Sequence, residues 1–283
     1  FWRDREVETG SKAFTEKDHP NVNSISIKTN TDTGSFDVIM AKESSESLLE
    51  INWARRYLPD GGEQSQLNIT KSVKDGVLTV LITIEQAEMD FMQMDHYDLT
   101  LKINRDYSHS FDFDGTVGSI DLTLKDITID KLSLQTTTGS IDLDLKDCTL
   151  NSNIIIDQTT GSNDINLENL VFTQDAEITI EKTTGSTELK WKQDIALTHD
   201  VHMEIVSTTG SCDVIINSPS TLLRYDIQGE AGTGSVDIDG DILERVDENH
   251  YRSENYEDTT KDLLKIYSSA TTGSFDCEVE EIE

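Results

Sequence analysis

The stretch "TTTGSIDLDL", residues 136–145, decides the fold, because the chain writes nearly the same thing many times. Further copies are "TTGSNDINL" (159–167), "TTGSTELKW" (183–191), "STTGSCDVII" (207–216), "GTGSVDIDG" (232–240) and "TTGSFDCEV" (271–279). An enzyme builds one site from one such loop, whereas a motif repeated along most of a chain describes architecture. The recurring glycines are Gly34, Gly118, Gly139, Gly161, Gly185, Gly210, Gly234 and Gly273. Five successive intervals lie between 21 and 25 residues, flanked by one of 84 and one of 39. Spacing this regular indicates one unit wound repeatedly about an axis.

Each copy carries two apolar signals. Seven residues before the glycine stand Ile27, Phe111, Leu132, Ile154, Ile178, Met203, Ile227 and Ile266. Four residues after it stand Val38, Leu122, Leu143, Ile165, Leu189, Val214, Ile238 and Cys277. The upstream apolar positions fall at odd offsets from the glycine and the downstream ones at even offsets, which a straight strand of period two cannot accommodate. The chain must therefore turn at Thr-Gly-Ser, where glycine takes a positive φ without a Cβ clash. A third, shorter apolar group follows as Ile127 and Ile129, Cys148 and Leu150, Leu170 and Phe172, and Ile195 and Leu197. The fold expected is all-β, a parallel β-solenoid (β-helix) with coils of about 21–25 residues and structural corners at Gly118, Gly139, Gly161, Gly185, Gly210, Gly234 and Gly273. In this reading residues 1–22 are an N-terminal extension. Residues 23–115 are an irregular, strand-rich start, and residues 116–283 are regular coils. Residues 240–262 lengthen one coil as a surface excursion, and the charged terminal "CEVEEIE" protects an edge.

In the irregular start, "QLNITKSVKDGVLTVLITIEQ" reads as two strands around Lys74-Asp75-Gly76, either a hairpin or two imperfect rungs. The later "DLTLKIN" (98–104) alternates cleanly, and Gly-x-apolar-x-apolar corners follow it. In this order of features the chain resembles, over roughly residues 23–283, a bacterial and archaeal family of adhesin-like domains of unknown function. The resemblance implies a β-solenoid at the cell surface with no catalytic residues. It also implies an N-terminal membrane helix in many relatives. The regular Ser-x-Asp after each glycine departs from that pattern.

Composition narrows the partners. Fifty-five acidic and 23 basic residues leave a net charge of −32, which opposes nucleic acid and anionic membranes, since both require clustered Lys and Arg. No run of about 18 apolar residues is present, so no helical membrane span is expected. A chain starting at Phe1 suggests a removed signal peptide or anchor, hence an extracellular or cell-surface protein. Cys148, Cys212 and Cys277 form neither a CxxC pair nor an even disulfide framework. The first two occupy core positions, and Cys277 is a candidate cross-link between subunits.

Three residues after each glycine comes an acid: Asp37, Asp121, Asp142, Asp164, Glu188, Asp213, Asp237 and Asp276. Alternation points these outward, and coil stacking sets neighbours about 5 Å apart, where repulsion in water is about 0.8 kcal/mol per pair. A solvated stripe that discourages lateral aggregation is one use. A ladder taking up Ca²⁺ is another, with Asp121, Asp142, Asp164, Asp213 and Asp237 as candidate ligands. In "NWARRYLPDGGE" (52–63), Trp53, Arg55, Arg56 and Tyr57 are the candidate partner site, a cationic spot suited to an acidic face or an acidic glycan. No Ser-His-Asp order or phosphate loop stands out. The function expected is a non-enzymatic structural or adhesin-like protein that self-assembles or adheres through its solenoid, with Phe1 and Trp2 able to dock into a neighbour. The alternative is a membrane-tethered module recruiting a protein or glycan.

Overall fold

The structure, a computed structural model, describes residues 5–40, 46–57, 65–85, 95–219 and 221–282. Among them all regular structure is β. The first third holds β1 (Glu6–Thr15), β2 (Ser24–Thr33), β3 (Ser35–Met40), β4 (Ser47–Tyr57), β5 (Gln66–Lys74), β6 (Val77–Glu85) and β7 (His96–Ile103). The regular copies hold β8 (Ser108–Val117), β9 (Ile120–Lys125), β10 (Thr128–Thr138), β11 (Ile141–Lys146), β12 (Thr149–Leu150) and β13 (Ile154–Thr160). They continue with β14 (Asn163–Glu168), β15 (Val171–Phe172), β16 (Ala176–Thr184), β17 (Thr187–Lys192), β18 (Val201–Thr209) and β19 (Cys212–Ser218). The chain ends with β20 (Arg224–Thr233), β21 (Val236–Asp239), β22 (Leu243–Asp247), β23 (His250–Ser253), β24 (Leu263–Thr272) and β25 (Phe275–Glu281).

Two large sheets result. Eleven strands run in the order β1-β4-β7-β3-β9-β11-β14-β17-β19-β25-β21. Fourteen form the other, along the path β22-β23-β20-β24-β18-β16-β13-β10-β8-β2-β6-β5, with β12 beside β10 and β15 beside β12. Each repeat contributes one strand to each sheet, and equivalent strands pair in parallel, as β10 with β13 and β11 with β14. The third face shrinks to two-residue ladders, Ile129↔Leu150 and Leu150↔Phe172. Leu197 is buried there, but Ile195 is exposed, so the expected pairing of those two in the core does not hold.

The apolar columns read from the sequence form the core. Ile27, Phe111, Leu132, Ile154, Ile178, Met203, Ile266 and Ile227 follow one another across the second sheet in direct register, each at most 1% exposed. Val38, Leu122, Leu143, Ile165, Leu189, Val214, Cys277 and Ile238 follow one another in register across the first, all of them buried. Burying side chains of this size contributes about 1.5–3 kcal/mol each, before the cost of chain ordering.

The glycine corner joins the two sheets, and two independent constraints explain why every copy keeps the glycine. Gly161 has φ of 145°, and a Cβ placed there would lie 1.6 Å from the carbonyl oxygen of Gly139 in the adjacent copy. The same close approach links the glycines in one continuous ladder from Gly34 to Gly234, so neither the backbone angle nor the space admits a side chain. Hydrogen bonds run along the corner as well, for example Gly161 N–H to Thr184 O at 3.1 Å. A second corner follows eight residues after the glycine, where Asp126, Asp147 and Asn169 take left-handed φ of 52–54°. Asx residues tolerate that conformation better than other side chains.

Several expectations about chain path change. The 84-residue interval is a single step, because β2 pairs directly with β8 and β3 with β9. The intervening residues form the far side of that end: β5 and β6 are an antiparallel hairpin through Asp75 and Gly76, both at positive φ, and β6 runs parallel to β2. Residues 6–15, expected as an extension, form β1, antiparallel to β4, which is antiparallel to β7. At the other end the copies do not stack in chain order. β24 and β25 insert between the Gly210 copy and the Gly234 copy, so Cys277 and Glu278 of "CEVEEIE" lie between β19 and β21, whereas Val279–Glu281 pair with β19 alone. The first half of the 240–262 insertion joins the sheet: β22 and β23 form a hairpin that pairs antiparallel with β20 through β23. His250 Nε2 meets Asp226 Oδ1 at 2.5 Å, and Arg252 lies 3.7 Å from the same carboxyl, which fixes the hairpin to β20.

Candidate functional site

The acids are brought into one ladder. In register order they run Asp37, Asp121, Asp142, Asp164, Glu188, Asp213, Asp276 and Asp237, all on the outer face of the eleven-stranded sheet. Asp121, Asp142 and Asp164 are therefore neighbours, whereas Asp213 and Asp237 are separated by Asp276. Burial pushes the carboxyls of Asp37, Asp142 and Asp213 above the usual range, and the adjacent acids push them further. Lys190 bridges Glu188 at 2.5 Å and Lys146 bridges Glu168 at 2.7 Å, so the middle of this face is partly neutralised. Among the described residues no three His, Cys, Asp or Glu side chains converge in a group able to hold a metal ion. The carboxylates form a row, and a hard cation needs six to eight oxygens around a point.

The second candidate lies at the end of the stack formed by β1, β4 and β5. Alternation along β4 turns Leu49, Ile51, Trp53 and Arg55 inward, and the register places Glu8, Arg55 and Tyr97 side by side across β1, β4 and β7. Arg55 is 6% exposed. Its guanidinium meets Asp95 Oδ2 through Nη2 at 2.6 Å and Nε at 3.2 Å, with Glu8 Oε2 at 3.5 Å from Nη1. It also lies over the rings of Tyr57 and Tyr97, 4.7 and 5.9 Å from their centroids. A buried guanidinium needs such pairing, because an uncompensated charge in this position costs several kcal/mol. Arg56 points outward to Asp98 at 2.7 Å, and Tyr57 donates to Glu6 at 3.0 Å. The two arginines thus do not form the cationic spot expected from the sequence, since carboxylates meet both. Residues 58–63 of that stretch, and Phe1 and Trp2, lie outside the described residues.

The cleft has a volume of about 730 Å³ and is lined by Glu8, Trp53, Arg55, Ser65, Gln66, Leu67, Asn68 and Tyr97. Gly10 on β1 leaves room for one of its walls, Trp53. The ring of Trp53 lies over the glycine, so close that a Cβ there would be 2.2 Å from the indole. Lys12 ties β1 to β5 by donating to Ile69 O at 2.7 Å. Ser65 is held at both backbone groups, its N–H donating to Asp95 Oδ2 at 2.9 Å and its carbonyl accepting from Tyr97 Oη at 3.0 Å. Its hydroxyl is buried and has no hydrogen-bond partner among the described residues. Sequence reasoning found Trp53 and Arg55 but missed Glu8, Ser65, Asp95 and Tyr97. Of these only Tyr97 carried a signal, the alternation of "HYDLTLKI".

The cysteines are all unpaired and buried, including Cys277 at 3% exposure, which removes it from any cross-link between folded chains. Burial pushes the thiol of Cys148 up to about 11 and that of Cys212 up to about 12. These thiols are inert in the folded chain.

No family model matches the chain, and no curated protein sequence does. Among solved structures it is similar to a "putative cell adhesion protein" from Clostridium sporogenes, at 12% identity and a TM-score of 0.38, over 98% of this chain and 100% of that one. It is also similar to a "putative adhesin" from Parabacteroides merdae, at 13% identity and a TM-score of 0.33, over 98% and 97% of the two chains. A "putative adhesin" from Bacteroides fragilis shares 15% identity at a TM-score of 0.34, again over 98% and 97%.

Proposed function

We propose that this chain is a non-enzymatic, adhesin-like protein of the cell surface or the extracellular space, a β-solenoid rod that binds its partners as a single molecule. The observation that carries this reading is how the parallel stack ends. Of the four terminal strands, β1, β5 and β22 are antiparallel to their neighbours, and the fourth, β21, has only four residues, two of them Asp. The terminal strands carry exposed charges, among them Glu6 and Glu8 on β1, Lys71 and Lys74 on β5, and Glu244, Arg245 and Asp247 on β22. Charged edges, and short ones at β21 and β22, discourage the addition of another coil, so they favour adhesion over end-to-end assembly. Calcium enters this reading as a screening counterion to the acid ladder, not as a chelated ion.

Whether tethered or secreted, the binding element is the same rod. Its test is retention under flow: beads coated with the full chain are expected to hold to surfaces bearing cells or extracellular polymers, at physiological salt and without added enzyme substrate. Beads that wash off every such surface as readily as albumin-coated beads would refute adhesion.

A further inference from the structure

We infer that the cleft between β1, β4 and β5 is a binding site for a neutral saccharide, an inference that rests on the adhesive reading and names its ligand class. Four observations lead there. The first is the built character of the site. Ser65 is 3% exposed, both its backbone groups are fixed by hydrogen bonds, and its buried hydroxyl has no partner among the described residues. Buried polar groups are almost always satisfied, so an unpaired hydroxyl in a residue that lines the cleft favours a ligand group that can both donate and accept. A sugar hydroxyl is such a group.

The second observation is the lining. Gln66 and Asn68 present planar amides from β5, Glu8 presents a carboxylate from β1, and Trp53 supplies a half-buried indole. Amides offer both donors and acceptors and a carboxylate offers acceptors to ring hydroxyls, and an aromatic surface packs against the apolar C–H face of a pyranose. The third is size. A volume of about 730 Å³ falls within the roughly 300–1,000 Å³ of small-molecule sites.

The fourth is charge, and it selects neutral over acidic sugars. The cation of the cleft, Arg55, already faces Asp95 and Glu8. The molecule as a whole carries −32. An anionic glycan would approach a negative protein and find a guanidinium whose charge is balanced, whereas a neutral sugar pays no such penalty.

The experiment titrates the full chain by calorimetry and by tryptophan fluorescence with three sets of probes. These are neutral oligosaccharides built from glucose, mannose, galactose or N-acetylglucosamine; acidic ones, oligogalacturonate and sialyllactose; and an uncharged extended peptide. At least one neutral series is expected to bind, with a fluorescence change lost in Trp53→Phe. Ser65→Ala, Gln66→Ala and Asn68→Ala should each weaken binding about five- to tenfold while leaving the circular dichroism spectrum unchanged. Acidic sugars binding as tightly as neutral ones, peptide binding alone, no binding by any saccharide, or affinities that the three alanine variants leave unchanged would each overturn the inference. Failure here with beads still retained under flow removes the saccharide and leaves adhesion standing. Neutral-sugar binding without bead retention does the reverse.

Discussion

At the scale of the residue, two positions define what the repeat tolerates. Gly161→Ala has to place a methyl group against the Gly139 carbonyl in a backbone conformation that alanine avoids. A loss of at least about 3 kcal/mol in chemical denaturation is expected, against less than about 0.5 kcal/mol for the adjacent exposed Ser162→Ala. Lys182 is the second. It is 5% exposed on the inner side of the corner, where its ammonium donates to Ser186 O, and burial pulls it down to about 8, partly offset by Cys212. Between pH 8 and the ordinary lysine range near 10.5, the unfolded chain holds a proton that the folded chain does not, so this group adds stability as the pH rises through that window. Lys182→Met should remove that pH dependence and stabilise the fold at pH 7 by about 1–3 kcal/mol, both readable from denaturation curves at pH 7, 8.5 and 10. The glycine ladder was legible in the sequence because spacing and a change of phase both point to it. The role of Arg55 was not, because its partner Asp95 lies 40 residues away and no local pattern joins them.

At the scale of the element, the acid ladder works against the sheet that displays it. Asp142 has Asp121 on one side and Asp164 on the other, and with burial they raise its carboxyl above the usual range. The folded chain therefore binds protons more readily than the unfolded one just above the ordinary carboxylate range, and stability is gained as the pH falls from neutral into that range. Asp142→Asn should stabilise the fold at pH 7 and low salt by a few tenths of a kcal/mol up to about 1 kcal/mol. That advantage should shrink at 0.5 M salt and disappear near pH 4. An unchanged melting temperature under all three conditions would mean that the carboxylates do not sense one another. The strands themselves were readable, since period-two alternation at fixed offsets from the glycine marked both core columns. The second corner was also written in the sequence, as Asp126, Asp147 and Asn169 eight residues past the glycine, but Lys-Asp and Glu-Asn pairs are too common to single out without the backbone angles.

At the scale of the molecule, the sequence is least informative about order. The copies around Gly234 and Gly273 carry the same corner, the same apolar columns and the same acid, so either could occupy the slot beside the Gly210 copy. The structure gives that slot to the later one, and the 39-residue interval is what lets the chain step outward, form the β22–β23 hairpin and return. This places a hairpin at the outer end of one sheet, opposite the β5–β6 hairpin at its other end, and replaces the open edges expected of a simple coil stack. Electron microscopy of the purified full chain at high concentration, with calcium and with chelator, tests that claim most directly. Separate short rods of uniform length are expected under both conditions. Filaments that lengthen along the stacking direction in either condition would show that these ends accept further coils, and would contradict it.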